Sequence, residues 1–196
     1  MRSKRYIFTL LIAIFVLFGC AREGFVVSSV SLSREIVLSV DFSGSCELEN
    51  ESININSRIE PNDGKYTFKL TSPDGDLSWE GPLNGGRGVS DALLITPGAT
   101  FLPGEYNLII YSEEGSVYST SVNLADAEYD SYPYFDENKT LIADESVTIN
   151  IYIDGYIDQT YEDVSSGFVL DTAFDSVEIE TFDRYQNRVI VKQNFK

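Results

Sequence analysis

Residues 147–161 read VTINIYIDGYIDQTY. Val147, Ile149, Ile151 and Ile153 fall on one face of an extended chain, with a polar or aromatic residue between each pair. That period of two, rich in β-branched and aromatic residues, specifies a half-buried strand. Asp154-Gly155 then interrupts the run. It is a two-residue pair suited to positive φ at both positions, the signal of a tight β-hairpin.

The same period recurs in both directions. Ile36, Leu38, Val40 and Phe42 alternate with Glu35, Ser39 and Asp41, and Tyr66, Phe68 and Leu70 alternate with Lys65, Thr67 and Lys69. Tyr106, Leu108 and Ile110 share a face, as do Val177 and Ile179 opposite Glu178 and Glu180. Turn residues separate the runs at Asn62-Asp63-Gly64, Pro73-Asp74-Gly75 and Glu113-Glu114-Gly115. Past Gly24 no stretch shows sustained helical spacing, so the expected class is all-β, with antiparallel strands at the short spacing of a sandwich.

Phe101–Ser112, FLPGEYNLIIYS, resembles the corner between strands E and F of immunoglobulin-like and fibronectin-III-like sandwiches. That resemblance implies a tyrosine, here Tyr106, whose hydroxyl caps the turn. It implies an immunoglobulin-like β-sandwich over residues 33–124. Residues 125–139, ADAEYDSYPYFDENK, break the alternation and read as an acidic, tyrosine-rich connector. Residues 140–196 then form a small C-terminal β domain, or further strands of one larger β structure.

The amino terminus carries an address. Arg2, Lys4 and Arg5 precede a run from Ile7 to Phe18 that is apolar except for Thr9. The run is too short to span a bilayer, which takes about 20 residues, and suits the core of a signal peptide at residues 1–19. Leu17-Phe18-Gly19-Cys20 resembles the lipobox of bacterial lipoproteins. The resemblance implies cleavage before Cys20 and a diacylglycerol or acyl anchor on its sulfur. A disulfide with Cys46, or a plain thiol, is the other reading of Cys20. Residues 20–32 would be a lipidated tether and first strand, with Ala21–Val27 as the tether. The expected location is a bacterial cell envelope, periplasmic or surface-exposed, with the membrane as first partner. Cys46 is expected to behave as an unpaired thiol or small hydrophobe.

The net charge is −17. Removing residues 1–19 leaves 11 basic against 31 acidic residues, a net charge of −20. Such a surface repels phosphate backbones and disfavours nucleic acid as a partner. There is no histidine, which excludes histidine-dependent nucleophile systems and histidine-ligated metal. Asn84-Gly85-Gly86-Arg87-Gly88 lacks the Gly-Lys-Ser/Thr ending of a phosphate loop and reads as a loop at the sandwich end.

The connector holds the remaining candidates. Asp126, Glu128, Asp130 and Glu137 take positions 1, 3, 5 and 12 of a calcium-loop spacing. Ser131 replaces the required glycine and Pro133 follows, so a solvated acidic linker is the preferred reading over calcium. Tyr129, Tyr132, Tyr134 and Phe135 either pack the seam between two domains or form a ligand surface for an envelope or extracellular protein or glycan. The expected function is therefore a structural or binding module without cofactor. An adhesin-like or receptor-like lipoprotein is the alternative, and a carboxylate-dependent hydrolase is a third, weaker reading.

Overall fold

Two strands organise the molecule. β1 (Val26–Val40) and β2 (Cys46–Glu60) each run 15 residues and pair antiparallel along their length. A strand of that length extends about 50 Å, longer than one small core, and two separate cores lie end to end on one face of the pair. The computed structural model describes residues 25–89, 93–94, 100–171 and 173–195, and the regular elements among them are all β-strands.

Val27, Val30 and Leu32 on β1 and Ile53, Ile55 and Ile59 on β2 face the first, proximal core. A four-stranded sheet covers it: β3 (Lys65–Thr71), β4 (Ser78–Asn84), β7 (Gly104–Ser112) and β8 (Val117–Leu124), in the order β4-β3-β7-β8. Short β5 (Gly86–Val89) and β6 (Leu93–Leu94) both pair with β2. Tyr106 is fully buried under this sheet, and its hydroxyl donates to the Leu102 carbonyl at 2.8 Å. This is the bond expected of the residue that caps the Leu-Pro-Gly turn.

Ile36, Leu38 and Val40, on the same face of β1, enter the second, distal core. Here β1 pairs in parallel with β14 (Arg188–Asn194), from Glu35 opposite Arg188 to Ser39 opposite Lys192. β13 (Ser176–Phe182), β11 (Val147–Ile153) and β12 (Tyr156–Val164) continue the sheet outward, giving the order β12-β11-β13-β14-β1-β2-β5. The distal core is closed by the connector, by the small hairpin of β9 (Tyr134–Phe135) and β10 (Leu141–Ile142), and by Leu170 and Phe174. β1 runs straight through residue 33, where the immunoglobulin-like resemblance begins, and Val26 and Val27 belong to it. The strands of 140–196 extend the sheet that β1 and β2 begin.

Between the cores the inward positions are charged. Arg34 Nη1 meets Glu51 Oε1 at 2.7 Å with both side chains almost wholly buried. Glu51 Oε2 accepts from the Tyr129 hydroxyl at 2.9 Å and from Phe101 N at 3.2 Å. Arg34 donates to the Tyr129 oxygen at 3.1 Å and to the Phe101 carbonyl at 3.2 Å. Arg34 Nε and Glu51 Oε1 have no hydrogen-bond partner among the described residues, so at those atoms only the charge attraction offsets burial.

One loop design recurs at hairpin ends. In Asp41–Ser45, Asp136–Thr140 and Asp183–Asn187 the aspartate Oδ1 accepts the N–H groups two and four residues on, at 2.8–3.0 Å. The fourth residue takes positive φ: Gly44 at 83°, Lys139 at 57° and Gln186 at 67°. Ser112–Ser116 repeats the pattern, with the serine hydroxyl accepting from Ser116 N and Gly115 at 84°. The aspartate satisfies backbone donors that a tight turn cannot pair internally. The β11–β12 turn has Asp154 and Gly155 both at positive φ, as its two-residue length requires.

Candidate binding groove

The connector leaves β8 at Leu124, crosses the seam and runs along the distal core. Its path is held mostly through main-chain bonds. Asn187 Nδ2 donates to the Asp126 carbonyl at 2.6 Å, and Glu128 N donates to Asp183 Oδ2 at 3.3 Å. The Tyr132 hydroxyl donates back to the Glu128 carbonyl at 2.7 Å. Further on, buried Gln193 acts as a strand partner: its Oε1 accepts from Phe135 N at 2.8 Å and its Nε2 donates to the Phe135 carbonyl at 2.7 Å.

This path disposes the four aromatic rings individually. Tyr129 is half-buried and reaches the Arg34–Glu51 pair. Tyr132 is buried against the distal core, and burial pushes its hydroxyl pKa up. Phe135 is fully enclosed. Tyr134 lies over Gly44, where an added Cβ would sit 2.7 Å from the ring's Cε1. The rings therefore do not form an open platform.

The same path does not gather the four carboxylates of the calcium spacing. Among the described residues no three Asp, Glu, Cys or His side chains gather where a metal ion could be held. A calcium loop wraps tightly around its ion, whereas this connector is pinned at intervals from the Asp183 turn to Gln193. Asp126 Oδ1 accepts from Ala127 N, Glu128 faces Arg184 at 3.9 Å, and Glu137 sits exposed in the Asp136 turn. Asp130 is exposed. Cys20 lies outside the described residues, while Cys46 is a half-buried free thiol whose pKa burial raises. The glycine-rich stretch at 84–88 passes from β4 into β5.

Outside the connector lies a groove of about 510 Å³. Tyr132, Tyr134, Ile142, Asp144, Glu145 and Phe182 are among the residues that line it. Phe182 is 62% exposed and Ile142 41%, so the groove presents apolar surface to solvent. Asp183 also borders it, but its carboxylate is saturated by the N–H groups of Tyr185, Asn187 and Glu128 and by Asn187 Nδ2. Its role is to hold the turn and the connector together. Arg184 is engaged with Glu128 and stacks 4.8 Å from the Tyr185 ring centre. Asp144 and Glu145 are exposed and make no ion pair with the described residues. The arrangement suits an apolar side chain beside a cation. Ile142, Asp144, Glu145 and Phe182 carry no periodic or motif signal, and only the assembled fold brings them together. Asp183 and Asn187 do carry one, the repeated aspartate loop.

No known protein family matches the chain, and a search of curated proteins finds no match.

Proposed function

We propose that the protein is a lipid-anchored envelope module that holds a basic, apolar segment of a partner protein in the connector groove. The observation that carries this reading is the position of the groove. It flanks the half of β1 that begins at Glu35, whereas Phe25 stands at the opposite end of the same strand. About 30 Å of strand separates the two at roughly 3.3 Å per residue. A lipid on Cys20 would attach the Phe25 end, so the groove would be presented away from the anchored end.

Asp144 and Glu145, without an ion-pair partner among the described residues, favour a cationic occupant, and Phe182 and Ile142 favour apolar contact beside it. A protein segment fits better than a glycan, because the exposed carboxylates of Asp144 and Glu145 beside apolar Phe182 and Ile142 suit a cationic side chain next to an apolar one. The reading is of binding and not of hydrolysis. Burial raises the Glu51 carboxyl, and that carboxyl is shut inside the seam, away from the groove.

Two measurements test the two halves of the reading. Metabolic labelling with a fatty-acid probe should mark the wild type and not Cys20→Ser; equal labelling refutes the anchor. A fluorescent peptide alternating arginine with phenylalanine should bind the protein, and the double variant Asp144→Lys/Glu145→Lys should weaken it by about tenfold through lost attraction and added repulsion. Unchanged affinity in that variant refutes the groove.

A further inference from the structure

We propose that the free edge of β12 receives an extended, basic segment of a partner protein as an added strand. Among the described residues β12 pairs with β11 alone, so its outer row of main-chain donors and acceptors is open. One extra residue bulges at Asp158 and another at Glu162–Asp163. Every sheet has edges, but this one differs from its counterparts. β4 and β8 alternate exposed with covered residues, as strands do when one face lies on a core. The first five residues of β12, Tyr156 to Thr160, are exposed on both faces.

The ribbon is also held in place. Asp154 N donates to Asp175 Oδ2 at 2.8 Å, and Asp175 N donates to the Tyr152 carbonyl at 3.0 Å. Thr160 Oγ1 donates to Asn150 Oδ1 at 2.8 Å, and Asn150 Nδ2 donates to Glu180 at 2.9 Å. A pinned edge loses little freedom when a strand joins it, which favours association. Tyr156 at 79% exposure and Ile157 at 55% leave apolar surface for that strand to cover.

Charge selects the occupant. Residues 147–164 contain Asp154, Asp158, Glu162 and Asp163 and no lysine or arginine. Asp158, Glu162 and Asp163 make no ion pair with the described residues. A second copy of this chain would set acid against acid, which is how natural edges avoid self-pairing. A strand carrying Lys or Arg at alternate positions would instead gain cross-strand ion pairs.

The test uses three nine-residue peptides, read by fluorescence anisotropy: valine alternating with lysine, valine alternating with glutamate, and the lysine peptide N-methylated at alternate amides. The lysine peptide should bind about tenfold more tightly than the glutamate peptide, and N-methylation should cost about tenfold by removing ladder bonds. Asp158→Lys/Glu162→Lys should reverse the preference between the charged peptides. Asp144→Lys/Glu145→Lys should leave this binding unchanged, which separates it from the connector groove. Equal binding of the N-methylated peptide would reduce the effect to surface charge and overturn the proposal. So would a sedimenting dimer that Asp158→Lys/Glu162→Lys dissolves, because the edge would then belong to a second copy.

Discussion

Arg34 and Glu51 form a 2.7 Å ion pair at the seam between two apolar cores, with side chains 1% and 0% exposed. Removing one partner strands a buried charge, so Arg34→Met or Glu51→Leu alone should each cost about 3 kcal/mol or more. The double variant should be less destabilised than the sum of the two, with a coupling of about 2 kcal/mol. Urea unfolding of the four proteins in the cycle measures this. Additive losses would mean that the two charges are held by Tyr129 and Phe101 and not by each other.

Burial raises the Glu51 carboxyl above its ordinary value of 4.5, against the opposing pull of Arg34 and the bonds from Tyr129 and Phe101 N. The folded protein then binds this proton more tightly than the unfolded chain. Stability contributed by Glu51 therefore falls as pH rises through the folded value and grows on acidification toward 4.5. Asp41 and Asp74 have the opposite sign. Hydrogen bonds from Ser43 and Ser72 lead in lowering them below 3.8, so their contribution is present above that value and lost below it. Between pH 7 and 4.5, wild type should gain stability relative to Glu51→Gln. A relative loss over that range would show that the ion pair outweighs burial.

Tyr106→Phe keeps the ring and removes the donor to the Leu102 carbonyl. Because Tyr106 is fully buried, no water enters to replace the bond, and the loss should be about 1 kcal/mol. Trp79, whose ring centre lies 6.5 Å from that of Tyr106, reports the local consequence. Its fluorescence should stay near wild type if only the bond is lost, and should shift if the corner itself opens.

The alternation around Asp154-Gly155 was legible because strand faces and a two-residue turn are local properties. The parallel pairing of β1 with β14 was not, since about 150 residues separate Glu35 from Arg188 and no local pattern encodes that meeting. Arg34 and Glu51 were hidden by a fair inference: charges within an alternating strand usually point to water. Here they occupy the inward positions, which show as inward only when both strands are aligned by face. The connector breaks the strand period in sequence, yet Tyr134–Phe135 within it form β9, and the enclosure of Phe135 depends on Gln193, 58 residues away. The aspartate loops were written in the sequence three times, with aspartate first and a residue able to take positive φ fourth.

Those loops make a prediction with competing terms. Gln186 is exposed at φ 67°, a conformation costing a non-glycine residue about 1–2 kcal/mol. Glycine removes that strain but adds unfolded-chain entropy of about 0.5–1 kcal/mol. Gln186→Gly should therefore stabilise by about 0.5 kcal/mol. Lys139 has nearly the same backbone, but its ammonium lies 4.7 Å from the Phe174 ring centre. Lys139→Gly forfeits that contact, worth about 0.5–1 kcal/mol, and should show no gain. Gly44→Ala is the converse case: the new Cβ meets positive φ and Tyr134 Cε1 at 2.7 Å together. It should cost about 2 kcal/mol, more than backbone strain alone if the ring cannot shift. Thermal melts of the three variants rank these effects, and a stabilised Lys139→Gly or a neutral Gly44→Ala would show that the rings over these turns carry no energy.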